Sequence, residues 1–96
     1  MNRLRLVHAA EVTKTAQHSR NVRTEYSGIH ETRIAHAGSV RTAIRAATYR
    51  IINRQYQQAF VYNGAGEYVC YIDGRVGKGI QIMFTSMKAR QEAAGL

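Results

Sequence analysis

The side chains of this chain best suited to chemistry are cationic and aromatic rather than nucleophilic. Arg41, Arg45 and Tyr49 follow one another at four-residue spacing, which on a helix stacks them along one line. Two guanidinium groups beside a tyrosine ring can contact phosphate and stack on a base; an ordinary solvated helix face has the same composition. A second cationic group is Gly74-Arg75-Val76-Gly77-Lys78-Gly79. Glycine lets backbone amides approach a phosphate closely, and Arg75 and Lys78 add charge. The segment is not a P-loop, because its spacing is short and no Ser or Thr follows the lysine. Tyr56, Tyr62, Tyr68 and Tyr71 supply aromatic surface nearby. Strand alternation predicts that Tyr68 and Tyr71 fall on opposite faces, one in the core and one exposed. The candidate binding residues are therefore Arg41, Arg45, Tyr49, Tyr68, Arg75 and Lys78. Exposed tyrosines near arginines suit a single-strand binder and a protein interface equally.

Catalytic groupings are not visible. The histidines, His8, His18, His30 and His36, do not pair at the i, i+4 spacing of strong zinc motifs, and the one cysteine has no Cys-x-x-Cys partner. Cys70 sits within an apolar strand pattern, where a thiol behaves as a small hydrophobe. The acids Glu11, Glu25, Glu31, Glu67, Asp73 and Glu92 are scattered singly, which leaves no scaffold for paired-carboxylate or magnesium-dependent hydrolysis. The expectation is a protein that is not an enzyme and needs neither metal nor cofactor.

Charge points to the kind of partner. Fourteen Lys+Arg against six Asp+Glu give a formal charge of +8 over 96 residues, a field that attracts polyanions whatever their sequence. The length fits one small domain spanning residues 1–96 with a single core. An apolar content of 45% with six Tyr and two Phe is that of a folded chain. A lone cysteine allows no intrachain disulfide and fits a reducing compartment. No apolar run reaches the roughly 18 residues of a membrane span, and the N-terminus turns charged at once, unlike a signal peptide. These readings predict a cytoplasmic protein without a membrane partner; oligomeric state is left open.

The elements that must position the candidates follow from periodicity. Ser39 is placed to cap a helix over residues 39–56 whose core stripe is Val40, Ala43, Ala47 and Ile51 with Ile44. Arg41, Arg45, Tyr49 and Ile52 lie opposite, while Arg50 and Arg54 flank the stripe and lay their stems along it. Alternation then predicts strands at 59–62, 67–72 and 80–84, the first two joined through Asn63-Gly64-Ala65-Gly66 with its positive φ values. Residues 87–96 have helix-forming composition for one or two frayed turns. Towards the N-terminus, Arg3-Leu4-Arg5-Leu6-Val7 reads as an edge strand and residues 25–36 as another, with a short helix over 9–17 an alternative to extended chain. The predicted class is α+β, with one main helix packed on an antiparallel sheet that ends in a three-strand meander.

Two resemblances bear on function. Ile72-Asp73-Gly74-Arg75-Val76-Gly77-Lys78-Gly79-Ile80 resembles the Gly-x-x-Gly loop of KH nucleic-acid-binding domains, which clamps a single-stranded backbone. It departs from them in joining predicted strands instead of helices and in placing an acid at Asp73. The capped helix feeding the hairpin Tyr62-Asn63-Gly64-Ala65-Gly66-Glu67-Tyr68-Val69 resembles, in size and architecture over residues 39–85, the small α+β inhibitors carried by phages. Those include anti-CRISPR and other host-takeover proteins. That resemblance implies a non-enzymatic blocker of a host defence complex, acting in the host cytoplasm. The expected function is a basic binding protein that engages nucleic acid or a nucleoprotein complex; the alternative is a protein–protein inhibitor or assembly subunit that needs no nucleic acid.

Overall fold

A computed structural model describes residues 21–75, 77 and 79–95 of the chain. The strand expected at 3–7, the helix weighed at 9–17 and Lys78 lie outside the described residues. The predicted α+β class is observed: among the described residues five antiparallel strands carry two helices. The strands are β1 (Val22–Ser27), β2 (Thr32–Ala37), β3 (Gln58–Tyr62), β4 (Tyr68–Asp73) and β5 (Gln81–Phe84). The helices are α1 (Val40–Ile52), between β2 and β3, and α2 (Met87–Ala93), after β5. The sheet order is β2-β1-β3-β4-β5, so α1 carries the chain across β1 and lays β3 on its far side. From there the chain continues as the predicted meander.

Residues 25–36 do not form the single strand expected of them. They divide into a hairpin in which Glu25 pairs with Ile34 and Ser27 with Thr32. The turn is closed by the Gly28 amide, which donates to the Glu31 carbonyl at 2.8 Å. Apolar or aromatic residues at even positions on both sides of Gly28 let one alternating pattern run through the reversal unbroken.

α1 forms for the reasons read from the sequence. Ser39 has extended backbone and its Oγ accepts from the Thr42 amide at 3.1 Å, an interaction of about 1 kcal/mol at a helix start. Val40, Ala43, Ala47 and Ile51 are buried against the sheet; full burial of Val40 and Ile51 contributes roughly 1.5–3 kcal/mol each. The helix stops at Ile52 instead of running to residue 56. Asn53 caps it, donating from Nδ2 to the Tyr49 carbonyl at 2.9 Å, and Arg54 turns the chain with φ 61°. Tyr56 thereby enters the core, its ring 4.9 Å from that of Tyr26. Arg50 covers the Tyr26 ring at 5.1 Å, as its flanking position predicts. Arg54, beyond the helix end, is exposed.

Both helices pack on one face of the sheet and against each other. Into that layer project Val22, Thr24 and Tyr26 from β1, Ala59 and Val61 from β3, and Cys70 and Ile72 from β4. Ser86 caps α2, its Oγ accepting from the Ala89 amide at 3.0 Å, and Ala89 docks the helix on the core. The β3–β4 loop uses one positive φ among Asn63-Gly64-Ala65-Gly66, at Gly66 (84°). Asn63 does the remaining work: its Oδ1 accepts from the Ala65 and Glu67 amides, and its Nδ2 donates to Glu67 and, at 3.2 Å, to Glu92 of α2.

Candidate functional site

The outer face of α1 presents Arg41, Arg45, Tyr49 and Ile52 to solvent, with Tyr49 66% exposed. The helix contains no acidic residue, so neither arginine has a carboxylate one turn away. This is the arrangement the four-residue spacing predicted. It can take phosphate oxygens on two guanidinium groups and a planar group on the tyrosine.

The opposite surface of the molecule is the sheet face that neither helix covers. Arg23 and Glu25 project there from β1, Ile34 and His36 from β2, Phe60 and Tyr62 from β3, Tyr71 and Asp73 from β4, and Met83 from β5, as the strand register requires. Tyr68 joins them, and here the prediction is overturned: Tyr68 and Tyr71 lie on the same face. Val61 pairs with Cys70 but Tyr62 pairs with Tyr68, so Val69 is an extra residue, a β-bulge in β4. Val69 and Cys70 are consequently both buried in succession, and the alternation slips by one.

The result is a continuous aromatic group. The Phe60 and Tyr71 rings stack with centroids 4.9 Å apart and planes at 27°. Tyr68 lies 6.3 Å from Phe60 and 5.7 Å from Tyr62, and the Arg23 guanidinium sits over Tyr62 at 4.4 Å. Arg23 also holds Glu25 at 3.2 Å. At the other end the Tyr71 hydroxyl donates to Asp73 Oδ2 at 2.7 Å and accepts from the Gln58 side-chain amide. Asp73 Oδ1 further accepts from the Arg75 backbone amide at 2.9 Å and from Arg75 Nε at 3.1 Å. These bonds, led by those from the Arg75 side chain, hold the Asp73 carboxyl down at about 2. Burial pushes the Cys70 thiol, on the core side of the same strand, up to about 12.

The candidate residues are thus divided between two surfaces. Arg41, Arg45 and Tyr49 stand together on α1, whereas Tyr68 and Arg75 belong to the open sheet face and its border, with α1 and the sheet between the two groups. Arg75 lies just beyond β4, exposed but engaged by Asp73. The glycine-rich segment joins β4 to β5, so the KH-like stretch lies between strands as expected. Phe60 and Arg23 are additions to the residues read from the sequence, where Tyr62 and Tyr71 figure as aromatic surface around the hairpin and not among the candidate binding residues. Their signal was the alternation of Phe60 with Tyr62 in β3, but which face these rings take depends on the side chosen by α1.

No protein-family model, curated protein or solved structure matches the chain.

Proposed function

We propose that the chain is a small, non-enzymatic binding protein that engages nucleic acid or a nucleoprotein complex. The observation that carries this reading is the acid-free outer face of α1, where Arg41, Arg45 and Tyr49 are exposed in one line on a protein of formal charge +8. Cations so placed neutralise phosphates and release condensed counterions, which supplies affinity without reading sequence. The likeness to phage-carried inhibitors gives this activity a setting, the occupation of a nucleic-acid surface in a host defence complex.

The test is fluorescence anisotropy with a labelled DNA duplex across a salt series. The logarithm of the affinity is expected to fall linearly with that of salt concentration, and Arg41→Gln/Arg45→Gln to make the slope shallower by about 0.9 for each phosphate contact removed. Absence of binding at low salt to duplex and single strand alike would rule the reading out.

A second reading, a protein–protein inhibitor, draws on Ile34 and Met83, which are 57% and 47% exposed on either side of the aromatic group. Aromatic and apolar side chains with arginines at the border are the usual make-up of an interface centre. A partner retained from lysate after nuclease treatment, and lost on Ile34→Asp, favours this alternative.

A further inference from the structure

We infer that the face of the sheet that neither α1 nor α2 covers is a stacking platform for the unpaired bases of single-stranded nucleic acid, centred on Phe60, Tyr62, Tyr68 and Tyr71. The inference rests on the nucleic-acid reading above and adds a second surface, across the sheet from the arginines of α1, together with the form of nucleic acid it holds. Four rings from two adjacent strands form one connected group, each within 6.3 Å of the next. Base stacking on such rings is sequence-tolerant because every base has a π-face. Both helices lie on the other side of the sheet, so nothing built from α1 or α2 blocks approach to the rings.

The bulge in β4 is what completes the platform. With regular pairing, Tyr68 would be turned to the core side and Val69 to solvent. The extra residue reverses this, burying Val69 and leaving Tyr68 43% exposed beside Tyr62 and Phe60. Bulges re-aim side chains in this way at functional sites.

The charge of the chain favours a polyanion, and the charges on the face, which balance one another, do not oppose it. Its two carboxylates, Glu25 and Asp73, are each held by an arginine, Arg23 at 3.2 Å and Arg75 at 3.1 Å. Among the described residues an incoming phosphate therefore meets no unpaired acid there, within a chain of formal charge +8. Arg23 and Arg75 stand at opposite ends of the ring group and remain part-exposed, in position to follow a backbone whose bases lie between them. A duplex cannot use this surface in the same way, because its bases are already stacked on each other and present only their edges.

The experiment compares a twelve-nucleotide oligothymidylate with a duplex of equal length at low salt. The chain has no tryptophan, so intrinsic fluorescence reports tyrosine alone. Binding of the single strand is expected to quench it and to be about ten-fold tighter than binding of the duplex. Tyr68→Leu, at an exposed position, is expected to weaken single-strand binding about ten-fold, with duplex binding unchanged and Tyr68→Phe restoring the loss. Equal affinity for the two forms, or a Tyr68→Leu variant that binds single strands normally, overturns the platform while leaving nucleic-acid binding in place. Absence of binding to either form removes both readings. A doubled mass without nucleic acid that Tyr68→Leu abolishes assigns the face to a second copy of the chain and likewise overturns the inference.

Discussion

At the scale of single residues, Asp73 and Cys70 show how the two sides of β4 differ. Asp73 is nearly buried yet ionised, because Arg75 and Tyr71 supply donors to both of its oxygens. Its carboxyl sits at about 2 against an ordinary 3.8. The folded pKa is the lower one, so the stabilisation is fully present above pH 4 and is lost as pH falls from there through about 2. Half-exposure of the Arg75 side chain screens the pair, which limits its contribution to about 1 kcal/mol. Asp73→Asn is expected to destabilise the protein by that amount at pH 7 and hardly at all at pH 2, read from denaturant midpoints at the two pH values. A constant difference across the range would mean that the ionised carboxylate does not hold the network. Cys70 behaves in the opposite sense: its thiol, pushed to about 12 by burial, stays protonated in the fold while the unfolded thiol ionises near its ordinary value. Stability linked to it is therefore lost as pH rises above about 9. At pH 8 Ellman's reagent is expected to titrate the thiol only in denatured protein; rapid reaction in the native state would contradict its burial.

At the scale of elements, the end of β4 approaches the last turn of α1 closely at Gly74. The Gly74 amide donates to the Gln57 carbonyl at 2.9 Å, and a Cβ added at Gly74 would collide with Cγ2 of Ile51. Because that methyl is attached directly to the branched Cβ of Ile51, it has little freedom to move aside. Gly74→Ala is expected to cost about 1–3 kcal/mol. In a double-mutant cycle with Ile51→Ala the combined loss should be smaller than the sum, since the second change makes the room the first one needs; strict additivity would place the strain elsewhere. The partners in this junction also mark what the sequence disclosed. Ile51 was legible, because the core stripe and the Ser39 cap of α1 are local signals that need only helix geometry. Strands β3, β4 and β5 were legible from alternation within each. The close approach of Gly74 was not, nor was the shared face of Tyr68 and Tyr71, because each depends on a partner distant in sequence: α1 for the glycine, the register of β3 for the bulge. The turn at Gly28 was hidden by a pattern that keeps its parity through the reversal. For the same reason the exposed line of Arg41, Arg45 and Tyr49 on α1 follows from local spacing alone, whereas the sequence shows Tyr62, Tyr68 and Tyr71 as aromatic surface without showing that they share one face with Phe60.

For the whole molecule, the question is whether +8 acts as a located site or as a diffuse field. Arg3, Arg5, Lys14, Arg20 and Lys78, against Glu11, lie outside the described residues, so half of the net charge is carried by residues other than those described on the two faces. Contacts and field separate by their dependence on salt. An arginine touching a phosphate changes the equilibrium slope, whereas charge acting at a distance changes the rate of encounter and fades once the Debye length falls from about 10 Å at 0.1 M to about 3 Å at 1 M. Replacing Arg3, Arg5, Lys14 and Arg20 together by Gln takes the formal charge from +8 to +4 without altering any residue of α1 or of the sheet. If these four act as field, stopped-flow association with oligothymidylate, followed by tyrosine quenching, should slow several-fold at low salt and converge with the unaltered protein near 1 M. The dissociation rate should stay the same throughout. A faster dissociation instead would make these residues part of the bound surface, and the site would then extend beyond the two faces described.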